Sequence, residues 1–334
     1  MPTRDDLPTP GGPVRTCGVE VIIPVFDAAE YVLDCVASLA RLTLRPERVI
    51  VVDDCSTDGS GRLAAAALTA AGIPVTVIES DSRGGPGMAR NRGLAAATAA
   101  LVWFVDADDV VAPEALRILL EALGEHDFAV CRTTVIDESG TMIGIDEPLP
   151  PYPVVSGIEY GRMLLHGTAR AYAPTKLFRR ALLPADPWDE VRRYEDMAAM
   201  VALAVRARSV ALVPDAPYRY RRHDRSASRS FDPVSFELLE LPARALSRMT
   251  AAGAVVGTAE AAEFTLREAV FPLAHLAMRA EAGPRSRQAV YAARRRIRFA
   301  DLAALAGAGR IRPVAAAILL LFFPRWYARI LRNR

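Results

Sequence analysis

Lysine is almost missing from this sequence: one of its 41 basic residues, Lys176, is a lysine and the other 40 are arginines. That bias, with abundant alanine, is the mark of a GC-rich coding genome rather than of phosphate binding along the whole chain. Cysteine is scarce as well. Cys17, Cys35, Cys55 and Cys131 are widely spaced, with no CxxC pair and no neighbouring histidine pattern. A disulfide scaffold and a structural zinc site are excluded, and a reducing cytoplasm fits best. Long apolar runs are absent too. The longest, Val314–Phe323, has ten residues between Pro313 and Pro324, about half of what a bilayer crossing takes. Residues 1–16 have no apolar run and read as a disordered leader, not a signal peptide. No fixed-period repeat occurs, so the chain is not a solenoid.

An excess of either charge is the last absence. The 41 basic and 39 acidic residues leave a formal net charge of +2, and 51% hydrophobic against 24% charged residues is globular composition. The balance conceals an asymmetry. Residues 232–334 hold 16 arginines and eight acidic residues, a net of +8, so the rest of the chain sums to −6. Within that tail, residues 285–334 hold 12 arginines and a single acid, Asp301. A uniformly basic nucleic-acid binder is excluded, and two regions with different partners are implied.

The first half alternates apolar strands with helical stretches. Strands are expected at Val19–Val25, Arg48–Asp53, Pro74–Glu79 and Leu101–Val105. Helices are expected over Ala28–Arg41, Ser60–Ala71, Gly87–Ala100 and Pro113–Leu123. Continuously apolar strands separated by helices imply right-handed crossovers and a parallel sheet covered on both faces. In such a sheet a ligand binds beyond the carboxyl ends of the strands. Here those ends are Pro24–Asp27, Asp53–Asp58 and Asp106–Asp109, all polar and acidic. From about Phe128 to Arg222 the pattern is mixed, with a helix near Ala198–Arg208, and after Asp232 it is almost wholly helix-forming.

The run Asp106-Ala107-Asp108-Asp109 ends a buried strand. Its three carboxylates repel one another unless a cation or several donors lie between them. Oxygen ligands at a strand end suit Mg²⁺ or Mn²⁺; a helix cap at Asp109 would explain one acid, not three. Asp53-Asp54-Cys55-Ser56-Thr57-Asp58-Gly59 reads either as a capped turn or as a reader of base and ribose hydroxyls. Arg83-Gly84-Gly85-Pro86-Gly87-Met88-Ala89-Arg90 leads into a helix N-terminus able to cradle phosphate. It lacks the third glycine of the dinucleotide fingerprint and follows the third strand, which argues against a nicotinamide enzyme.

Together IIPVFDAAEYVLDCVASL, VIVVDDCSTDGS, GGPGMARNRGLAAATAALVWFVDADD and YEDM resemble the family 2 glycosyltransferases over roughly residues 18–225. The resemblance implies an α/β, GT-A type, Rossmann-like and mostly parallel sheet with helices on both faces, over residues 17–230. A helical, arginine-rich region then occupies 231–334. It further implies an inverting transferase with a nucleotide-sugar donor, usually UDP-linked, and a Mn²⁺ or Mg²⁺ ion on the acidic motif. By position, Pro24, Phe26 and Glu30 line the nucleotide pocket, Asp54 reads the base, Arg90 faces the donor and Asp106 the ribose or sugar. Asp108 and Asp109 are the metal candidates, because the run contains two overlapping acidic pairs. Asp196 is the general base and Glu195 its support, both in Tyr194-Glu195-Asp196-Met197, although a plain helix N-terminus would also attract two acids. Arg222, His223 and Ser226 would close on the diphosphate, and Lys176 would lie near the acceptor. His126, His166 and His275 read as ordinary surface or core residues.

The expected acceptor is a carbohydrate, a lipid-linked sugar or another hydroxyl compound, with no nucleic acid as partner. Arginines interleaved with Trp326, Tyr327 and aliphatics leave two readings of the tail open. One is an amphipathic contact with the inner face of a membrane; the other is a bundle that packs on the protein or forms a homo-oligomer. Two other functions compete: a sugar nucleotidyltransferase and a catalytically silent assembly protein. The first would carry its Gly-rich basic loop after the first strand, where Pro24-Val25-Phe26-Asp27 stands instead. The second would not need the acidic set.

Overall fold

A computed structural model describes residues 17–223 and 231–332; the leader 1–16 and Ser226 lie outside the described residues. β1 (Val19–Val25) is buried almost throughout, because the valines and isoleucines that favour a pleated strand meet apolar layers on both faces. It is followed by α1 (Val32–Ala40), β2 (Arg48–Asp53), α2 (Ser60–Ala70), β3 (Val75–Glu79), α3 (Pro86–Ala96) and β4 (Leu101–Phe104). Expected and observed elements agree in kind and order, with helix starts several residues later in α1. There the chain first turns back, through backbone bonds from Tyr31 and Val32 to the Ala28 carbonyl.

Beyond β4 come β5 (Val110–Val111), α4 (Ala115–Leu123), β6 (Phe128–Val130), β7 (Thr133–Ile136), β8 (Met142–Ile145), β9 (Val154–Ser156) and α5 (Gly157–His166). β10 (Lys176–Arg179), α6 (Asp196–Arg206), β11 (Ser209–Leu212) and β12 (Tyr218–Arg221) complete the strands. The main sheet has the order β3-β2-β1-β4-β10-β6-β11-β9. β3, β2, β1 and β4 are parallel, while β10 runs antiparallel to both of its neighbours. A smaller sheet, β5-β12-β7-β8, was not foreseen; its strands are two to four residues long and too short to show a period.

Alternation along β1 splits the core. Val21 and Ile23 pack on one side with Val49, Val51 and Leu39, and Ile22 packs on the other with Ile50 and Phe104. Gly93 of α3 makes the second contact possible, since a Cβ there would lie 2.3 Å from the Ile22 side chain. Glu20 is the one buried acid of β1. It is held by Arg48, its cross-strand partner on β2, and by the amides of Thr98 and Ala99 at 2.6 and 3.0 Å.

After Asp232 the described residues form only helices: a short turn at Pro233–Leu239, then α7 (Leu241–Ala251), α8 (Thr258–Thr265), α9 (Phe271–Arg279) and α10 (Pro284–Arg295). α11 (Phe299–Gly307), α12 (Ile311–Phe322) and α13 (Pro324–Arg332) end the chain. Their inner residues, among them Phe264, Leu273, Leu305 and Leu320, join the Ile22 side of the core. Among the described residues no helix is long and apolar enough to cross a membrane.

Candidate active site

β1 is followed by strands on opposite sides of it, β2 on one and β4 on the other. That reversal opens a crevice beyond their carboxyl ends. Val105 continues the β4 pairing by donating to the Ile22 carbonyl at 3.0 Å, which brings Asp106 beside the Pro24 end of β1.

At the centre of the crevice wall lies Arg90, on α3. It was expected to face the donor; instead it is 2% exposed and its guanidinium binds three carboxylates. Nη2 donates to Asp106 Oδ1 at 2.8 Å, and Nη1 to Glu195 Oε1 at 2.7 Å and Asp196 Oδ1 at 2.9 Å. One buried cation thus fastens the end of β4 to the start of α6. The three acids also raise the guanidinium pKa, against the opposing effect of burial.

Glu195 and Asp196 differ in access: their side chains are 8% and 21% exposed. Burial and the Asp196 charge push the Glu195 pKa up to about 7. Asp196 Oδ1 also accepts from Trp188 Nε1 at 3.0 Å, while Oδ2 meets only the Ala173 amide, at 3.4 Å. Oδ2 is therefore the less committed oxygen. Glu195 stands at the N-cap of α6 and Asp196 in its first turn, but neither side chain bonds a helix amide; both are engaged by Arg90 instead. Glycine sets how closely they approach α3. A Cβ on Gly87 would lie 3.0 Å from Glu195 Cγ and 3.1 Å from Trp188 Cβ.

The Asp106–Asp109 run divides in two. Asp109 is buried and accepts from Tyr218 Oη at 2.6 Å and the Arg221 amide at 2.8 Å. It ties β12 to the strand end and caps no helix. Burial, then Asp108 and Asp106, raises its pKa well above the usual carboxylate range. Asp106 and Asp108 keep side-chain exposures of 31% and 35%. Asp108 Oδ2 lies 3.0 Å from His223 Nε2, and the His223 ring stacks on Tyr31 with centroids 4.7 Å apart.

Among the described residues no group of three or more His, Cys, Asp or Glu is arranged to hold a metal alone. A hard divalent cation that shares substrate phosphates needs only one or two protein carboxylates. Asp108, with Asp106 beside it, fits that requirement; Asp109, with both oxygens engaged, does not.

The remaining expected residues are dispersed around the crevice. Asp54 is buried and accepts from the Gly84 and Gly85 amides at 2.9 and 2.7 Å and from Arg92 Nη1 at 3.0 Å. Its visible work is to hold the glycine loop, where Gly85 has φ +86°. Pro24 and Phe26 are half-buried and Glu30 is exposed. The Arg83 guanidinium lies 3.6 Å from the Phe26 ring centroid. Arg222 is exposed. Lys176 is fully buried, and Nζ donates to the Arg170 carbonyl at 2.9 Å, the Tyr172 carbonyl at 2.7 Å and Thr175 Oγ1 at 3.0 Å. All three of its donors are engaged.

Among the described residues, three that are not glycine have left-handed backbone: Asp27 (φ 46°), Cys55 (φ 68°) and Tyr194 (φ 63°). Each adjoins one of the site segments, where strained backbone tends to collect. Sequence reasoning missed Trp188 and Asn91. Asn91 Nδ2 donates to the Trp188 carbonyl at 2.9 Å and Oδ1 accepts from its amide at 3.2 Å, holding the indole against Asp196. An isolated tryptophan in a proline-rich loop carries no periodic signal that would have found it.

Comparison with known proteins bears on the family and the fold. The family model described as glycosyl transferase family 2 matches residues 20–184. The chain is 25% identical to glycosyltransferase GlyG of Streptococcus pneumoniae over 246 residues, 70% of this chain and 81% of GlyG. It is 27% identical to the poly(ribitol-phosphate) β-N-acetylglucosaminyltransferase TarS of Staphylococcus aureus over 224 residues, 65% of this chain and 38% of TarS. It therefore spans well under half of that relative. The crystal structure of S. aureus TarS 1–349 in complex with UDP superposes with a TM-score of 0.64 at 20% identity, over 94% of this chain and 90% of that one. The fold is the GT-A type.

Proposed function

Since the chain belongs to the family 2 glycosyltransferases, we propose that it moves a sugar from a UDP-linked donor to an acceptor hydroxyl in one inverting displacement, with Asp196 as general base. The observation that carries this reading is the bridge from Arg90 to Asp106, Glu195 and Asp196. It sets a partly open carboxylate from α6 across from the acidic end of β4.

In the displacement, the acceptor hydroxyl gives its proton to Asp196 Oδ2 as its oxygen bonds to the sugar C1. The bond from C1 to the β-phosphate oxygen breaks on the opposite face, so the configuration inverts and UDP departs. Arg90 and Trp188 hold Oδ1 and so aim Oδ2. Glu195 shares Arg90 Nη1 with Asp196 and would help to hold the guanidinium in place. A divalent cation on Asp108, with Asp106 beside it, would offset the charge gathering on the leaving diphosphate. Arg222 and His223, just after β12, would add to that effect. Asp54 acts on the donor through the glycine loop that it holds, and Phe26 with Arg83 borders the side where a base would lie.

The names of the S. aureus protein and of its structures make UDP-N-acetylglucosamine the first donor to try, and a polyol-phosphate polymer one acceptor class. A thermal-shift screen of UDP-, GDP- and dTDP-sugars with and without Mn²⁺ tests the donor. The expected result is stabilisation by a UDP-sugar that requires the metal. Asp196→Asn tests the base: transfer should fall roughly 10²–10⁴-fold with donor binding kept. Full activity in that variant would overturn the assignment.

A further inference from the structure

The last two helices carry apolar residues on both sides. The inner side of α12 is spent on the core through Ala317 and Leu320, with Val314, Leu319 and Leu321 packed around them. α13 is pinned by Tyr327, buried, with its hydroxyl 2.6 Å from His275 Nε2. What remains faces outward. Ile311, Ala315, Ile318 and Phe322 recur every three or four residues along one exposed stripe of α12, and Phe323, Trp326 and Ile330 extend it over α13. Trp326 is 62% exposed. Contiguous exposed apolar surface of this kind marks an interaction site.

Its flanks identify the occupant. Arg312, Arg325 and Arg329 border the stripe, are exposed, and have no carboxylate partner among the described residues. Residues 285–334 as a whole carry 12 arginines and one acid. A twofold contact with a second copy would bring these arginines together across the seam, with the region's one acid, Asp301, already bound by Arg298. An anionic lipid surface meets both halves of the pattern: its phosphates take the arginines, and its acyl boundary takes the Ile–Phe–Trp stripe. The helices, about 18 and 14 Å long at 1.5 Å per residue, are too short to cross a bilayer but long enough to lie in its interface.

We propose that α12 and α13 dock the protein in plane on an anionic membrane surface through Ile311, Ile318, Phe322, Phe323, Trp326 and Ile330, with Arg312, Arg325 and Arg329 on the lipid phosphates. The site of sugar transfer is thereby held at the membrane, which suits a lipid-linked or membrane-bound acceptor.

The test is co-sedimentation of the full chain with vesicles of phosphatidylcholine alone or with 30–40% phosphatidylglycerol, roughly the anionic share at which basic interfacial segments bind. Binding should be at least about tenfold tighter to the anionic vesicles and should weaken with salt. Trp103 and Trp188 are buried, so a blue shift of tryptophan emission on binding reports Trp326 entering the interface. Ile318→Ser/Phe322→Ser/Trp326→Ser should abolish binding while leaving the melting temperature unchanged, because these side chains are exposed. Arg312→Gln/Arg325→Gln/Arg329→Gln should remove the preference for anionic lipid. Equal binding by the serine variant, no binding to anionic vesicles, or a dimer abolished by the serine variant without vesicle affinity would each overturn the proposal.

Discussion

Arg90 Nη1 lies 2.9 Å from Asp196 Oδ1, and this contact joins residues 106 positions apart in the chain. The guanidinium that makes it is closed to solvent and also serves Glu195 and Asp106. Three acids around one buried cation are tolerable only while the cation stays. Arg90→Met should therefore cost roughly 3–5 kcal/mol of folding stability, the range for breaking a buried ion pair. Arg90→Lys keeps the charge but cannot reach three carboxylates in a planar fork. It should fold better than the methionine variant and still lose most transfer activity. Denaturant melts with donor-turnover assays check both; a fully active lysine variant would show that the fork is dispensable.

Trp188 Nε1 donates to the same Asp196 oxygen at 3.0 Å. That bond helps to fix the carboxylate's orientation, so Trp188→Phe should leave Asp196 freer to turn while a ring still packs against Phe104. Transfer kcat should fall roughly tenfold, about the worth of one hydrogen bond to a charged group, with donor KM unchanged. An unchanged kcat would separate Trp188 from the proposed base.

Glu195 supplies a pH signature of its own. Its folded pKa is raised to about 7 by burial and by Asp196, against an ordinary value of 4.5. The folded state then binds more protons than the unfolded state between those values. Its contribution to stability is complete below about pH 4.5 and is lost as the pH rises through about 7. Glu195→Gln cannot ionise and should lack this fall. Melting temperatures from pH 5 to 8 should decline more steeply for the parent than for the glutamine variant; parallel curves would contradict the raised pKa.

The strand ends were legible because Val21–Phe26, Val49–Val52 and Leu101–Val105 are apolar runs that stop at polar residues, and a parallel sheet directs those ends to one edge. The acidic clusters were legible for the same reason. The direction in which each side chain turns was not. An arginine after a glycine loop reads alike whether it meets a phosphate or a carboxylate far along the chain, and Arg90 meets Glu195 across 105 positions. Asp54 reads as a base contact until the Gly84 and Gly85 amides are seen on it. Lys176 reads as lying near the acceptor from its place in the resemblance, yet it is buried among backbone carbonyls. The small sheet escaped notice because strands of two to four residues leave no alternation to count.

Asp108 and Asp109 are neighbours that should respond differently. Asp108 is partly open, beside His223. Asp108→Asn should leave stability nearly unchanged while lowering the affinity for Mn²⁺ with UDP, measured by calorimetry, at least about tenfold, the usual scale for loss of a metal contact. Asp109 instead accepts from Tyr218 and Arg221 inside the protein. Asp109→Asn can keep an acceptor for the Arg221 amide but replaces the oxygen that takes the Tyr218 proton with an NH₂ group, and should cost about 1–3 kcal/mol. Equal loss of metal affinity in both variants, with stability intact, would place Asp109 on the metal as well.

Lys176 is the residue whose role changes most with its surroundings. Its ammonium gathers the carbonyls of Arg170 and Tyr172 and the Thr175 hydroxyl, and the same segment offers the Ala173 amide to Asp196 Oδ2. Lys176 thus holds the loop that meets Asp196, the base proposed above, and its role in that proposal is one of positioning. Lys176→Met would leave those acceptors unmet, at a cost of about 1–3 kcal/mol, and the loosened loop should raise the acceptor KM while donor KM stays put. Burial also lowers the Lys176 pKa to about 8 from 10.5. The folded state binds fewer protons than the unfolded state between these values, so the parent should gain stability from about pH 8 to 10.5 relative to the methionine variant. A direct acceptor contact predicts another outcome, in which Lys176→Met melts like the parent at every pH and loses only acceptor binding. Melting curves and the two KM values from one set of samples separate the roles.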